Sequence, residues 1–158
     1  MRLPTLRLAA TGAIALPSVS LAAPTCPAAT ADIAAQADRF NAAWASLDPD
    51  KVTALFTAEP VLLATVSNTP RTTPPAVRDY FVSFLKARPV ARFDTTTIER
   101  DCQTASRVGT WTVVLTDPAS GKVNEVKARY SFLYRFEGGD WKIDHLHSSA
   151  MPEAAAKP

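Results

Sequence analysis

The apolar residues of this 158-residue chain change their spacing once, near Arg92, and that change constrains the fold more than anything else. Before Arg92 they recur every three or four residues, the period of a helix buried on one side. After it they recur every two, the period of a half-buried strand. In "ATADIAAQADRFNAAWASLDPDKVTALF", Ile33, Ala37, Phe40, Trp44 and Leu47 make one stripe. Asp48-Pro49 then supplies an N-cap and a first-turn proline for a short second helix through Phe56. Val61 to Ser67 reads as a short strand, and "SNTPRTTPP" as turn chemistry. Thr73 caps a third helix that opens on Pro74 and carries Val77, Tyr80, Phe81, Phe84 and Leu85 on its apolar side, with Pro89 past its end. Four strand candidates follow: "ARFDTTTIERDC", "TASRVGTWTVVLTD", "NEVKARYSFLYRFE" and "DWKIDHLHSS". "PASGK" and "EGGD" are the most turn-like connections between them. Helices first and hairpin-linked strands afterwards indicate an α+β domain, helices lying on one face of the sheet.

Period two also assigns faces. In the last strand Trp141, Ile143, His145, His147 and Ser149 share one side, and Lys142, Asp144, Leu146 and Ser148 the other. Val126, Ala128, Tyr130, Phe132, Tyr134 and Phe136 form the apolar side of the strand before it. The only two histidines of the chain are therefore expected on the face that meets the helices. A β-bulge within the strand would reverse that for every residue beyond it.

The first residues have the pattern of a secretory signal. Arg2 and Arg7 are followed by an apolar run from Leu8 to Leu16, and "SLAA" offers small residues for cleavage after Ala22. The run is too short, and too soon broken by Pro17, for a membrane anchor. Cleavage leaves about 136 residues, one domain with a core of its own. The 17 basic residues of the full chain fall to 15, matching the 15 acidic ones. A neutral domain without a basic run lacks the charge that supplies most nucleic-acid affinity. No later segment is long enough to span a membrane. A periplasmic or secreted location permits a disulfide between Cys26 and Cys102, although spacing alone cannot show that they are within reach.

Four readings of His145 and His147 are open. Two histidines at i and i+2 can converge on zinc, but Asp79, Asp94, Glu99 and Cys102 stand in no ligand spacing that would complete the site. A general base needs a cleft and a substrate proton within reach, with Tyr80 or Tyr130 to orient a carbonyl. Ser148 and Ser149 beside His147 have no elbow or triad spacing for nucleophilic chemistry. The fourth reading makes the pair the lining of a binding cavity or ordinary polar core groups.

The helix with Asp-Pro-Asp, "LLATVSNTPRTT", "VRDYFVSFL" and "ARYSFLYRFEGGDWKIDHLHSSAMP" resemble the association domain of calcium/calmodulin-dependent protein kinase II. They resemble still more its stand-alone bacterial relatives of the SgcJ/EcaC or SnoaL-like branch of the nuclear transport factor 2-like superfamily. The resemblance covers about residues 30 to 153. It implies a cone: a strongly curved antiparallel or mixed sheet, cystatin-like, wrapped around the N-terminal helices with a pocket inside. It also implies self-association, from a homodimer to a larger ring. Tyr80 matches a tyrosine that reaches the family's pocket, and His145 and His147 match paired histidines of its final strand. Where the kinase domain carries pocket arginines, the matching positions are Ser148, Phe132 and Thr112. Arg129 and Arg71 are the nearest substitutes, without a positional match. No kinase sequence or calmodulin-binding helix is present in these residues, and the catalytic Asp and Tyr patterns of the isomerase and dehydratase branches are not evident.

The expectation is thus a signal peptide at 1–22, an arm at 23–29, a cone domain at 30–153 and a frayed tail at 154–158. The expected pocket is lined by Trp44, Tyr80, Trp111, Tyr130, His145 and His147. The expected role is an exported, self-associating small-molecule-binding or assembly module that needs no cofactor or metal. The alternative is a cofactor-independent isomerase, dehydratase or oxidoreductase-like enzyme with His145 or His147 as general base.

Overall fold

The computed structural model describes residues 30–152. The expected signal segment 1–22, the arm 23–29 with Cys26, and the tail 154–158 lie outside the described residues. Four connected pieces precede the hairpins: helix α1 (Thr30–Ala45), helix α2 (Pro49–Thr53), strand β1 (Phe56–Leu63) and helix α3 (Pro74–Phe84). Strands β2 (Val90–Arg100), β3 (Thr104–Thr116), β4 (Val123–Glu137) and β5 (Asp140–Ala150) complete one curved sheet in the order β1-β5-β4-β3-β2. All neighbours are antiparallel except β1 and β5, so the sheet is mixed.

Local chemistry starts and stops the helices. Ile33, Ala37, Phe40 and Trp44 of α1 are buried. Leu47, expected to extend that stripe, lies past the helix end with φ 55° and is 44% exposed. The left-handed turn carries its side chain away from the core. Asp48 caps α2 by accepting from Asp50 N (2.9 Å) and Lys51 N (3.4 Å), with Pro49 at the first position. α2 stops at Thr53, short of the expected Phe56, because Phe56 already pairs with Ile143 of β5. β1 accordingly occupies 56–63, not 61–67. Thr73 caps α3, which buries Val77 and Phe81 and ends in a 3-10 turn (Leu85–Ala87) before Pro89.

Turns set the register of the long strands. Gly138 and Gly139 take φ 60° and 85° between β4 and β5, values costly for any side chain, which permits a two-residue hairpin. Asp117 closes the β3–β4 connection by accepting from Ser120 N (2.7 Å) and Ala119 N (3.1 Å). β2 is bulged at Asp94, between Phe93 and Thr95. Beside that bulge Gly109 lets β2 and β3 approach so closely that a Cβ there would lie 2.0 Å from the Thr95 carbonyl oxygen. Cys102, between β2 and β3, is disulfide-bonded.

β5 carries a second bulge, and it decides the site. His145 pairs with Leu133 while Ile143 pairs with Tyr134, so Asp144 is an extra residue. Arg135 grips its carboxylate through Nε (3.2 Å) and Nη2 (3.1 Å), and Thr57 Oγ1 donates to it at 3.4 Å. Alternation therefore reverses midway. Trp141 and Ile143 are buried on the concave side, and so are Leu146 and Ser148.

α1 and α3 pack on this concave side around Phe40, Trp44, Phe81, Trp111 and Phe132. The rings meet mostly tilted or edge-on, as at Phe40–Phe132 (5.1 Å, 79°), the geometry aromatic quadrupoles favour. Arg39 of α1 ties this layer to the β4–β5 turn through a two-pronged bond to Asp140 at 2.7 and 2.8 Å. Among the described residues no helix is long and apolar enough to cross a membrane.

Candidate functional site: an aromatic slot and its mouth

Among the described residues a narrow opening lies on the concave face, between α1, α3 and the chain that leaves β1. Trp44 comes from α1, Tyr80 and Phe84 from α3, and Ala64, Thr65 and Val66 from the segment after β1. Trp111, Leu146 and Ser148 form its sheet wall. Counted out to its open mouth the slot holds about 450 Å³, but room for a water-sized body inside it is only about 30 Å³. A wider cleft lies in front, with about 390 Å³ of room for water-sized bodies, lined by Ser67, Arg71, Asp79 and Ser83 and sharing Val66, Tyr80 and Phe84 with the slot.

The slot is mostly apolar, with the hydroxyls of Thr65, Tyr80 and Ser148 among its lining. Ser148 Oγ accepts from Trp111 Nε1 at 3.1 Å and also from Thr65 Oγ1. With both lone pairs engaged, its own proton is left to donate. Trp44 stacks obliquely on Trp111 (5.9 Å) and edge-on to Phe84 (5.1 Å), while its Nε1 is buried without a partner among the described residues.

The mouth is built differently. Arg71 is fixed by two backbone hydrogen bonds with Leu62, at 2.8 and 3.0 Å. Its guanidinium lies 5.6 Å from the Tyr80 ring centre and donates from Nη1 to Ser67 Oγ (3.1 Å) and to the Thr69 carbonyl. Burial raises the Tyr80 phenol well above its ordinary pKa of 10.0, and the nearby Arg71 only partly offsets that. Tyr80 is therefore a neutral donor at any ordinary pH.

Of the expected pocket residues the structure brings together Trp44, Tyr80 and Trp111. Tyr130 is buried on the concave side but does not line the slot. Its hydroxyl is held at β2 by Thr96 Oγ1 (2.8 Å) and the Thr95 carbonyl (3.0 Å). His145 and His147 are a correction: the Asp144 bulge puts both on the opposite, uncovered face, half-buried and exposed respectively. Neither can serve as a base for anything held in the slot. Ser148, expected to point away, turns inward for the same reason. Thr65, Ala64 and Val66, read as strand, are slot lining in the loop after β1.

The other positions matched to kinase arginines are also accounted for. Phe132 is core and Thr112 donates to Asp94 Oδ2 at 2.7 Å, while Arg129, which matches none of them by position, is exposed beside the Ala150 carbonyl (3.4 Å). Arg71 is the cation at the mouth. The His145 imidazole is held below its ordinary pKa of 6.5, first by burial and then by His147, with Asp144 opposing. Among the described residues no group of three or more His, Cys, Asp or Glu side chains could hold a metal ion.

The SnoaL-like domain profile matches residues 37–143. A Xanthomonas campestris protein designated a calcium/calmodulin dependent protein kinase II association domain is 39% identical, with 84% of this chain and 95% of that one covered and a TM-score of 0.77. A nuclear transport factor 2-like superfamily protein from Salmonella enterica shares the fold at 14% identity, covering 82% and 96%, with a TM-score of 0.70. A ketosteroid isomerase-like protein from Erwinia carotovora does so at 18% identity, covering 78% and 96%, with a TM-score of 0.65. No curated protein matches the chain.

Proposed function

The chain belongs to the SnoaL-like domain family of the nuclear transport factor 2-like superfamily, and on that premise we propose that it is an exported, self-associating module that binds a small apolar molecule in the slot. One observation carries the binding reading. The slot is a preformed, largely aromatic opening in which Ser148 is already positioned by Trp111 and Thr65. Ligand sites have this composition: apolar walls that supply affinity and a few fixed polar groups that supply orientation. The superfamily fold alone would not give that function.

Self-association draws support from the opposite side of the sheet. No described helix covers that face, where His145 and His147 lie beside Val61, Leu63, Ser131 and Leu133, the last 42% exposed. A second copy is the occupant the family resemblance suggests. A periplasmic or secreted location follows from the N-terminal pattern of Arg2, Arg7 and the apolar run. The histidine-based enzyme reading loses its support, because both imidazoles face away from the slot.

Binding is tested with phenol as a small aromatic probe, read by the fluorescence of Trp44 and Trp111. Saturable quenching in the parent, absent in Ala64→Phe of unchanged Tm, is the expected result. Linear quenching in both proteins would refute an occupied slot. Light scattering at micromolar concentration addresses assembly, and a persistent monomer would remove that part.

A further inference from the structure

The cleft in front of the slot holds one cation and one anion that do not satisfy each other. Among the described residues Arg71 has no carboxylate within ion-pair distance, and the Asp79 carboxylate has neither an ion pair nor a hydrogen bond. Both nevertheless line the same space, with Tyr80 and Phe84 leading inward. Arg71 is held in place by its bridge to Leu62, by Ser67 and by the Tyr80 ring, and still has N–H groups unspent. Asp79 and Ser83 stand one helical turn apart on α3, so a carboxylate and a hydroxyl face the cleft together.

We propose that slot and cleft together bind an α-amino acid with a short apolar side chain, its carboxylate on Arg71, its ammonium on Asp79 and its side chain entering the slot past Val66, Tyr80 and Phe84. Asp79 is exposed and its charge also acts on the neighbouring Arg78, yet only a zwitterion engages both Asp79 and Arg71, an anion using Arg71 alone and a cation Asp79 alone. A zwitterion answers both with charge-assisted hydrogen bonds, and a guanidinium suits a carboxylate in particular. The narrow interior admits a short aliphatic group more readily than a bicyclic ring. This assignment rests on the slot being a ligand site.

The test uses three compounds with one carbon skeleton: L-leucine, 4-methylpentanoate, which lacks the ammonium, and 3-methylbutylamine, which lacks the carboxylate. Titration calorimetry on the whole protein is expected to give one L-leucine per chain, at least tenfold tighter than either analogue. Arg71→Gln is expected to abolish the advantage of L-leucine over the amine. Asp79→Asn is expected to abolish its advantage over the acid. An analogue that binds the parent as tightly as L-leucine would overturn the assignment, as would variants that keep the parent's preferences. If phenol saturates the slot but L-leucine does not bind, the zwitterion assignment fails while the binding reading stands. If neither binds, both fail.

Discussion

Replacing Gly109 by alanine isolates a single steric feature of the sheet. The added Cβ would sit 2.0 Å from the Thr95 carbonyl oxygen, 2.7 Å from its carbonyl carbon and 3.1 Å from the Tyr130 hydroxyl. Real Cβ contacts do not fall below 3.0 Å, so the β2 backbone must retreat by about 1 Å at its bulge. That backbone also receives the Tyr130 hydroxyl at 3.0 Å and supplies Thr95 Oγ1 to Thr110 N at 2.9 Å. Overpacking of this kind costs roughly 1–3 kcal/mol. One disrupted hydrogen bond adds about 1 kcal/mol. Relief of glycine's backbone entropy returns roughly 0.5–1 kcal/mol. The net expectation is a loss of about 1–3.5 kcal/mol. Urea unfolding, followed by circular dichroism and tryptophan fluorescence together, measures it as a lower midpoint with an unchanged m-value. Adding Tyr130→Phe should not rescue the variant, because the closest atoms are backbone. A Gly109→Ala protein within about 0.5 kcal/mol of the parent, an ordinary surface-substitution effect, would refute the reasoning.

Ser148→Ala leaves Trp111 Nε1 and Thr65 Oγ1 without their acceptor inside the slot, so a loss of about 1–3 kcal/mol is expected in the same urea assay. An unchanged midpoint would show that the serine does not organise the wall. The His145 pKa is lower folded than unfolded, so the unfolded chain binds the proton more readily and stability falls as pH drops below about 6.5. Unfolding at pH 7.5 and 5.5 should show that fall in the parent and a smaller one in His145→Gln; equal slopes would exclude the imidazole as its source.

Much of the architecture was readable because local chemistry specified it. Asp48-Pro49 and Thr73-Pro74 start helices by satisfying their first amides, and Gly138-Gly139 permits the backbone of a tight hairpin. The alternation from Val126 to Phe136 found the concave side of β4 correctly. Three errors have one origin, in that a distant partner overrode a local pattern. Phe56 leaves the second helix because β5 offers it a parallel neighbour. Tyr130, a sound choice for a cavity by type and face, spends its hydroxyl on β2. The histidines followed a count that Asp144 interrupts, and nothing near Asp144 announces an extra residue. What holds it is Arg135 on β4 and Thr57 on β1, contacts visible only after folding. Trp44, Tyr80 and Trp111 share one opening because large aromatic rings on the inner stripes of three elements have few other places to go.

The extra residue in β5 also behaves like a reading frame. Pairing Asp144 with β4, rather than leaving it extra, would slide the rest of the strand by one residue, turning His145 and His147 toward the aromatic slot and Leu146 and Ser148 to the bare side, with no side chain replaced. A cavity walled by leucine and serine and one walled by two imidazoles are thus neighbours, separated by one step of register. Divergence on this scaffold need not proceed by patient substitution; it can exchange the interior and exterior of the final strand in a single step.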